Sequence, residues 1–181
     1  MESIYVSFGT DLVQLVQLIR LPMLDQAFLW LTRLGEAPVL LLAGILTALF
    51  YRENRWVGVG MIGAFILASL VNAEIKQTLD VPRPSSDEVY TAGQASGSAT
   101  PSAHTMSAAA VWFFLALSMW RTSSWWLAAA AIPAVVGFSR VYLGMHYPGD
   151  VVLGAALGAA IAFALHVGLN WRPARTQSTA A

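Results

Sequence analysis

Six side chains in this sequence have the types and spacing to handle a phosphate: Lys76, Arg83, His104, Arg140, His146 and Asp150. They fall in three short clusters: KQTLDVPRP (Lys76 to Pro84), PSAH (Pro101 to His104) and SRVYLGMHYPGD (Ser139 to Asp150). Each cluster lies at or near the end of a long apolar stretch, and Lys76 is the only lysine in the chain. Lysine offers a compact charge and arginine a planar fork of donors, and both bind phosphate oxygens. An apolar chain places ions near a membrane at a cost of several kcal/mol unless they have a partner or a function. Three cations, two imidazoles and one carboxylate therefore point to a phosphate site.

Each cluster also has a plainer reading. Lys76, in the last turns of an apolar helix, could simply snorkel toward headgroups. Asn72, one turn earlier, could share its face. Ser102 is placed to cap a helix whose first-turn N–H groups, around Ala103 and His104, are able to bind an anion. That helix could equally carry an incidental interfacial histidine. The third cluster resists the plain reading, because an ordinary turn does not need Arg140, His146 and Asp150 together. Asp150 can reach one ring nitrogen of His146 and fix its tautomer, which leaves the other nitrogen to attack or to move a proton.

The composition says what must position these groups. The 181 residues are 57% hydrophobic and 11% charged, against roughly 25% charged in a typical soluble domain. The length fits one domain, and so few charges imply a helical membrane protein. A net charge of +0 gives no case for nucleic acid, and the absence of cysteine excludes thiolate chemistry, disulfides and cysteine metal sites. Residues 1–20 lack a basic n-region, and Asp11, Gln14 and Gln17 interrupt any apolar core, so no signal peptide is expected.

The expected fold is all-α: a polytopic transmembrane helix bundle of five to six spans with N-terminal interfacial amphipathic helices. One domain would cover 1–181, with interfacial helices in 1–35, the bundle in 36–171 and a polar tail in 172–181. In residues 4–20, Leu12, Leu15, Val16 and Ile19 recur at helical spacing, with Asp11, Gln14 and Gln17 turned away. Pro22 breaks that helix, and 23–34 reads as a second short one. Spans follow at about Ala37 to Tyr51, Trp56 to Leu79, Pro101 to Trp120, Ser124 to Tyr142 and Pro148 to Asn170. Residues 85–100, rich in Ser, Gly, Ala and Thr, read as a loop outside the bilayer.

Arg52, Arg55, Arg121, Arg172 and Arg175 fall on one side of these spans, with Trp56, Trp120, Trp125, Trp126 and Trp171 beside them. By the positive-inside rule that side is cytoplasmic, which puts all three clusters on the outer face of a cell membrane. Gly58 to Gly63 matches GxGxxG but lacks the strand and turn that motif needs, so it reads as helix packing. Gly154 to Gly158 is a GxxxG element that suits packing within the bundle or a homodimer. His166 lies away from the clusters and reads as structural.

Taken together, the three clusters resemble the type 2 phosphatidic acid phosphatase superfamily, whose pattern is K-x6-RP, PSGH and SR-x5-H-x3-D. Lys76, Arg83, Pro84, Pro101, Ser102, His104, Ser139, Arg140, His146 and Asp150 match it in type and spacing. Ala103 departs from the usual glycine, where a methyl group would crowd the pocket or trim its substrate range. Small family members acting on undecaprenyl diphosphate share this departure. The resemblance implies a six-helix, metal-independent phosphatase without a cofactor. His146 would form a phosphohistidine, Asp150 would orient it, and His104 would act as acid and then base. Lys76, Arg83, Ser102, Ala103 (through its backbone) and Arg140 would hold the phosphate. No metal site is expected, since Asp80, Asp87 and Glu88 form only a loose loop group. The partners implied are membrane lipids and a lipid phosphate substrate: undecaprenyl diphosphate first, then phosphatidylglycerophosphate or phosphatidate. A lipid phosphotransferase and a non-catalytic lipid transporter on the same fold are the rivals.

Overall fold

The computed structural model describes residues 2–51, 54–93 and 97–170. Arg52, Trp171, Arg172, Arg175 and the 172–181 tail, all named above, lie outside the described residues. The chain runs α1 (Glu2–Gln17), α2 (Pro22–Leu31), a 3-10 turn (Thr32–Gly35), α3 (Ala37–Phe50), α4 (Trp56–Thr78), α5 (Ala103–Met119), α6 (Trp126–Tyr142) and α7 (Pro148–Asn170). Among the described residues there is no β-strand. Pro22 and Pro38 stand in the first turns of α2 and α3, where the missing N–H costs nothing.

All five expected apolar segments are helical. At 23 residues each, α4 and α7 are long and apolar enough to cross a membrane alone. The apolar helices α3, α5 and α6 have 14, 17 and 17 residues. At about 1.5 Å per residue they fall short of a hydrocarbon core of about 30 Å. Local thinning of the bilayer would accommodate them.

The central helix is α5, packed against α4, α6 and α7. Ala108, Ala109 and Ala110 are fully buried there, and such small side chains let backbones approach. A Cβ on Gly158 would lie 2.3 Å from the Met106 carbonyl oxygen, and one on Gly154 would lie 2.8 Å from that of Ser102. The GxxxG element is thus used between α7 and α5, inside one bundle. Gly58 does the same for α4 against α3, where its Cβ would meet Ala48 N at 2.2 Å.

On α1 the exposed side is apolar, as an interfacial helix requires. Leu15 and Ile19 are exposed, while the face carrying Gly9, Thr10 and Val13 is buried against the bundle. The glutamines bond to backbone carbonyls of other segments: Gln17 Nε2 donates to those of Tyr90 and Tyr142, and Gln14 Nε2 to that of Glu88. Backbone carbonyls of the 85–100 loop select the polar face, and lipid-facing positions accept the leucines. Between α1 and α2 the chain bends by 115°. Arg20 and Asp25 close that corner with an ion pair of 2.5 Å.

Candidate active site

Lys76 comes from the last turn of α4, after which Pro82 and Pro84 keep the chain extended and carry Arg83 back over the helix ends. Lys76 Nζ donates to the Ser98 carbonyl at 2.9 Å, so the lysine turns inward and does not snorkel. Asn72 is buried and reaches the Pro101 carbonyl at 3.4 Å, which ties α4 to the PSAH segment. Arg83 is held by the carbonyls of Gly97 at 3.1 Å and Met145 at 3.0 Å.

Arg140 lies in the last turn of α6 and is buried. One of its guanidinium nitrogens donates to Thr32 Oγ1 at 3.3 Å, while its Nε is buried with no hydrogen-bond partner. The turn from α6 to α7 depends on Gly144, whose φ is +65°. A Cβ there would lie 1.9 Å from the Tyr90 carbonyl oxygen, so only glycine fits. That turn presents His146, and Asp150 follows in the first turn of α7.

His146 is 2% exposed and Asp150 is fully buried. Arg83 Nη1 lies 3.2 Å from His146 Nε2. Because arginine can only donate, Nε2 is the acceptor and the ring proton sits on Nδ1. Nδ1 faces Asp150 Oδ2 at 3.5 Å and has no closer partner. This is longer than a formed hydrogen bond. Burial, with the charges of Arg140 and Arg83, pushes the His146 pKa down to about 4 against the opposing pull of Asp150. The ring is therefore neutral near pH 7.

Ser102 occupies the N-cap position of α5 but makes no side-chain cap. Its Oγ instead accepts from Thr105 at 3.0 Å, and its N–H donates to the Asp150 carbonyl at 3.0 Å. The first turn of α5, with Ala103 and His104, thus opens without a side-chain cap. Its N–H groups point out of the helix end, where an anion would sit. His104 is partly exposed and within electrostatic reach of Arg140, His146, Lys76 and Arg83. Lys76, Arg83, Ser102, Ala103, His104, Arg140, His146 and Asp150 therefore converge at one end of the bundle.

Four more contributors had no signal in the sequence. Tyr5 and Thr100 donate hydroxyls to Asp150 Oδ1, the Tyr147 N–H donates to Oδ2 at 2.8 Å, and Thr32 supports Arg140. Tyr5, Thr32 and Thr100 are ordinary polar residues outside the three clusters, brought in only by the packing, and Tyr147, within the third cluster, contributes its backbone N–H. His166 stands edge-on to Phe114 at 6.0 Å, away from the site. Among the described residues no group of three or more His, Asp and Glu side chains is placed to hold a metal ion.

Residues 57–174 match the PAP2 superfamily. The chain belongs to that superfamily. It is a membrane lipid phosphatase. It is 31% identical to phosphatidylglycerophosphatase B of Bacillus subtilis over 158 residues, covering 81% of this chain and 75% of that one. It is 26% identical to the undecaprenyl-diphosphatase of Sulfolobus acidocaldarius over 163 residues, covering 87% and 77%. The crystal structure of a transmembrane PAP2 type phosphatidylglycerolphosphate phosphatase from Bacillus subtilis superposes with a TM-score of 0.77 at 29% identity, covering 88% of this chain and 83% of that one.

Proposed function

We propose that this PAP2 phosphatase hydrolyses the phosphate of a membrane lipid through a phosphohistidine on His146, without a metal ion. The observation that carries this is the His146 ring itself. Its Nε2 lone pair faces the cations, and its Nδ1 proton faces a buried carboxylate. Nε2 attacks the terminal phosphorus in line as its bond to the leaving oxygen breaks, the bridging oxygen of a diphosphate or the ester oxygen of a monophosphate, and His104 gives that oxygen its proton. Asp150 stabilises the positive charge that develops on the ring. Water then attacks the phosphorus with His104 as base, and the N–P bond breaks, which releases phosphate and restores the ring.

Lys76, Arg83, Arg140, the Ser102 hydroxyl and the N–H groups at Ala103 and His104 hold the equatorial oxygens, where charge gathers in the transition state. Arg140 Nε, buried and unpartnered, supports that assignment.

The substrate we propose is a polyprenyl diphosphate of the undecaprenyl type. A polar cavity of about 330 Å³ beside Arg83, lined by Ser86, Thr91 and Met145 among others, supports it. It gives room for polar substrate atoms on the side away from the apolar helices. The 31% identity to phosphatidylglycerophosphatase B favours phosphatidylglycerophosphate as the second reading. The site would face the outside of a cell membrane, since the exposed Arg55, Arg121, Trp56, Trp120 and Trp125 gather at the opposite helix ends.

The test is phosphate release by purified protein in detergent with EDTA, over undecaprenyl diphosphate, phosphatidylglycerophosphate and phosphatidate. Release should be fastest from the diphosphate and should fall at least about 10⁴-fold in His146→Ala. Turnover that survives His146→Ala would overturn the mechanism. A preference for phosphatidylglycerophosphate would replace the substrate and leave the mechanism standing.

A further inference from the structure

Asp150 Oδ1 accepts two hydroxyls, from Thr100 and from Tyr5, the latter at 2.6 Å. Tyr5 is 145 positions away in the sequence and lies outside residues 57–174 that match the superfamily. It reaches the carboxylate from α1, and its seat is shaped for it. A Cβ on Gly149 would stand 2.8 Å from the Tyr5 ring and from its hydroxyl oxygen. A Cβ on Gly9 would stand 2.7 Å from the Tyr147 ring. Two glycines on facing helices thus let the rings of Tyr5 and Tyr147 meet edge to face, with centroids 5.7 Å apart. On its outer side α1 exposes Ile4, Phe8 and Leu15, an apolar face suited to the bilayer interface.

We infer that Tyr5 is a positioning residue of the hydrolase site, its hydroxyl fixing Asp150 Oδ1 so that Oδ2 is presented to His146 Nδ1. This rests on the proposal that His146 attacks phosphorus. A carboxylate held only by the Tyr147 N–H could swing about its Cβ–Cγ bond, and the hydroxyls on Oδ1 remove that freedom. Burial and the bond to Asp150 raise the Tyr5 pKa above the ordinary phenol range, so it stays a proton donor at neutral pH, steadies the anion and never competes for its charge. The N-terminal helix then belongs to the catalytic machinery as well as resting on the membrane.

Tyr5→Phe in the full chain keeps the ring and its glycine seat and removes only the hydroxyl. Turnover, scored per mole of protein eluting as the folded detergent complex, should fall about tenfold with KM unchanged, as for loss of a hydrogen bond to a charged group. In an Asp150→Asn background the same change should cost less than about twofold, because the oxygen it steadies no longer carries the charge. Where Asp150→Asn leaves too little steady-state turnover to read, the rate of phosphohistidine formation in a single turnover gives the same comparison. Unchanged turnover in Tyr5→Phe overturns the inference, as does a loss that adds in full to that of Asp150→Asn. Should Tyr5→Phe fail to elute as folded protein, Thr100→Val removes the other donor to Oδ1 and must show the same dependence on Asp150. An additive loss there overturns the inference too. Inactive His146→Ala with normal Tyr5→Phe removes Tyr5 from the site alone, whereas active His146→Ala removes the reading beneath it.

Discussion

His146 Nε2 lies 3.2 Å from Arg83 Nη1, so the nitrogen proposed to attack phosphorus is bonded to a cation proposed to hold the phosphate. The two roles are compatible in sequence. A phosphate oxygen that accepts the Arg83 N–H draws the guanidinium off the ring and bares the lone pair when the substrate arrives. The same contact keeps the imidazole in the tautomer that attack requires.

The acid limb of activity follows from this burial. Only the neutral ring can attack, and burial together with Arg140 and Arg83 pushes the His146 pKa down to about 4. In the free enzyme kcat/KM should therefore hold as pH falls through the ordinary imidazole range near 6.5 and drop only toward 4. Arg83→Gln removes one cation and should move that limb upward. The sign for stability is the same: the unfolded chain binds the proton first, so the contribution is full above about 6.5 and is lost as pH falls toward 4. A pH profile on a substrate whose own phosphate does not titrate between pH 4 and 7, set beside thermal unfolding over about the same range, checks both. A limb at 6.5 in the wild type would refute it.

His104, partly exposed at the open end of α5, is proposed to protonate the leaving oxygen. Its removal should matter in proportion to how badly the leaving group needs a proton. His104→Ala should cost about 10²–10⁴-fold on a lipid alkyl phosphate and markedly less on an aryl phosphate such as p-nitrophenyl phosphate. Equal losses on both would assign His104 to binding instead.

Glycine spacing makes a prediction about the fold. Gly158→Ala would put a methyl carbon 2.3 Å from the Met106 carbonyl oxygen, where backbone must yield. It should destabilise the bundle by about 1–3 kcal/mol. Gly63→Ala meets nothing within 4 Å and should stabilise α4 by up to about 1 kcal/mol through helix propensity. Thermal unfolding of both in one detergent compares them directly. Equal behaviour would mean that α5 and α7 do not pack as closely as this.

The sequence disclosed what repeats a pattern. Apolar runs bounded by proline marked α3, α4 and α7 to within a residue or so. Side chains set at fixed spacing around those ends marked the site. What it could not disclose depends on which surface each helix turns to another. In α1, spacing set Leu15 apart from Gln17 but gave no sign of the Tyr90 and Tyr142 carbonyls that Gln17 engages. Tyr5, Thr32 and Thr100 support the site through single hydroxyls, which no local pattern distinguishes from any other tyrosine or threonine. Ser102 shows the same limit at one residue: its N-cap position was legible, but not the Thr105 hydroxyl that engages its oxygen.

Sidedness is open to direct measurement because the chain has no cysteine. Asp87 is exposed in the segment between α4 and α5, at the end of the bundle that carries the site. Thr122 is exposed in the turn between α5 and α6, beside Arg121, whose guanidinium stacks on Trp120 at 4.6 Å. Cation and indole together suit a cytoplasmic interface. Asp87→Cys should react with a membrane-impermeant maleimide in intact cells, and Thr122→Cys only after permeabilisation. The reverse pattern would turn the protein over and put its phosphate site on the cytoplasmic face.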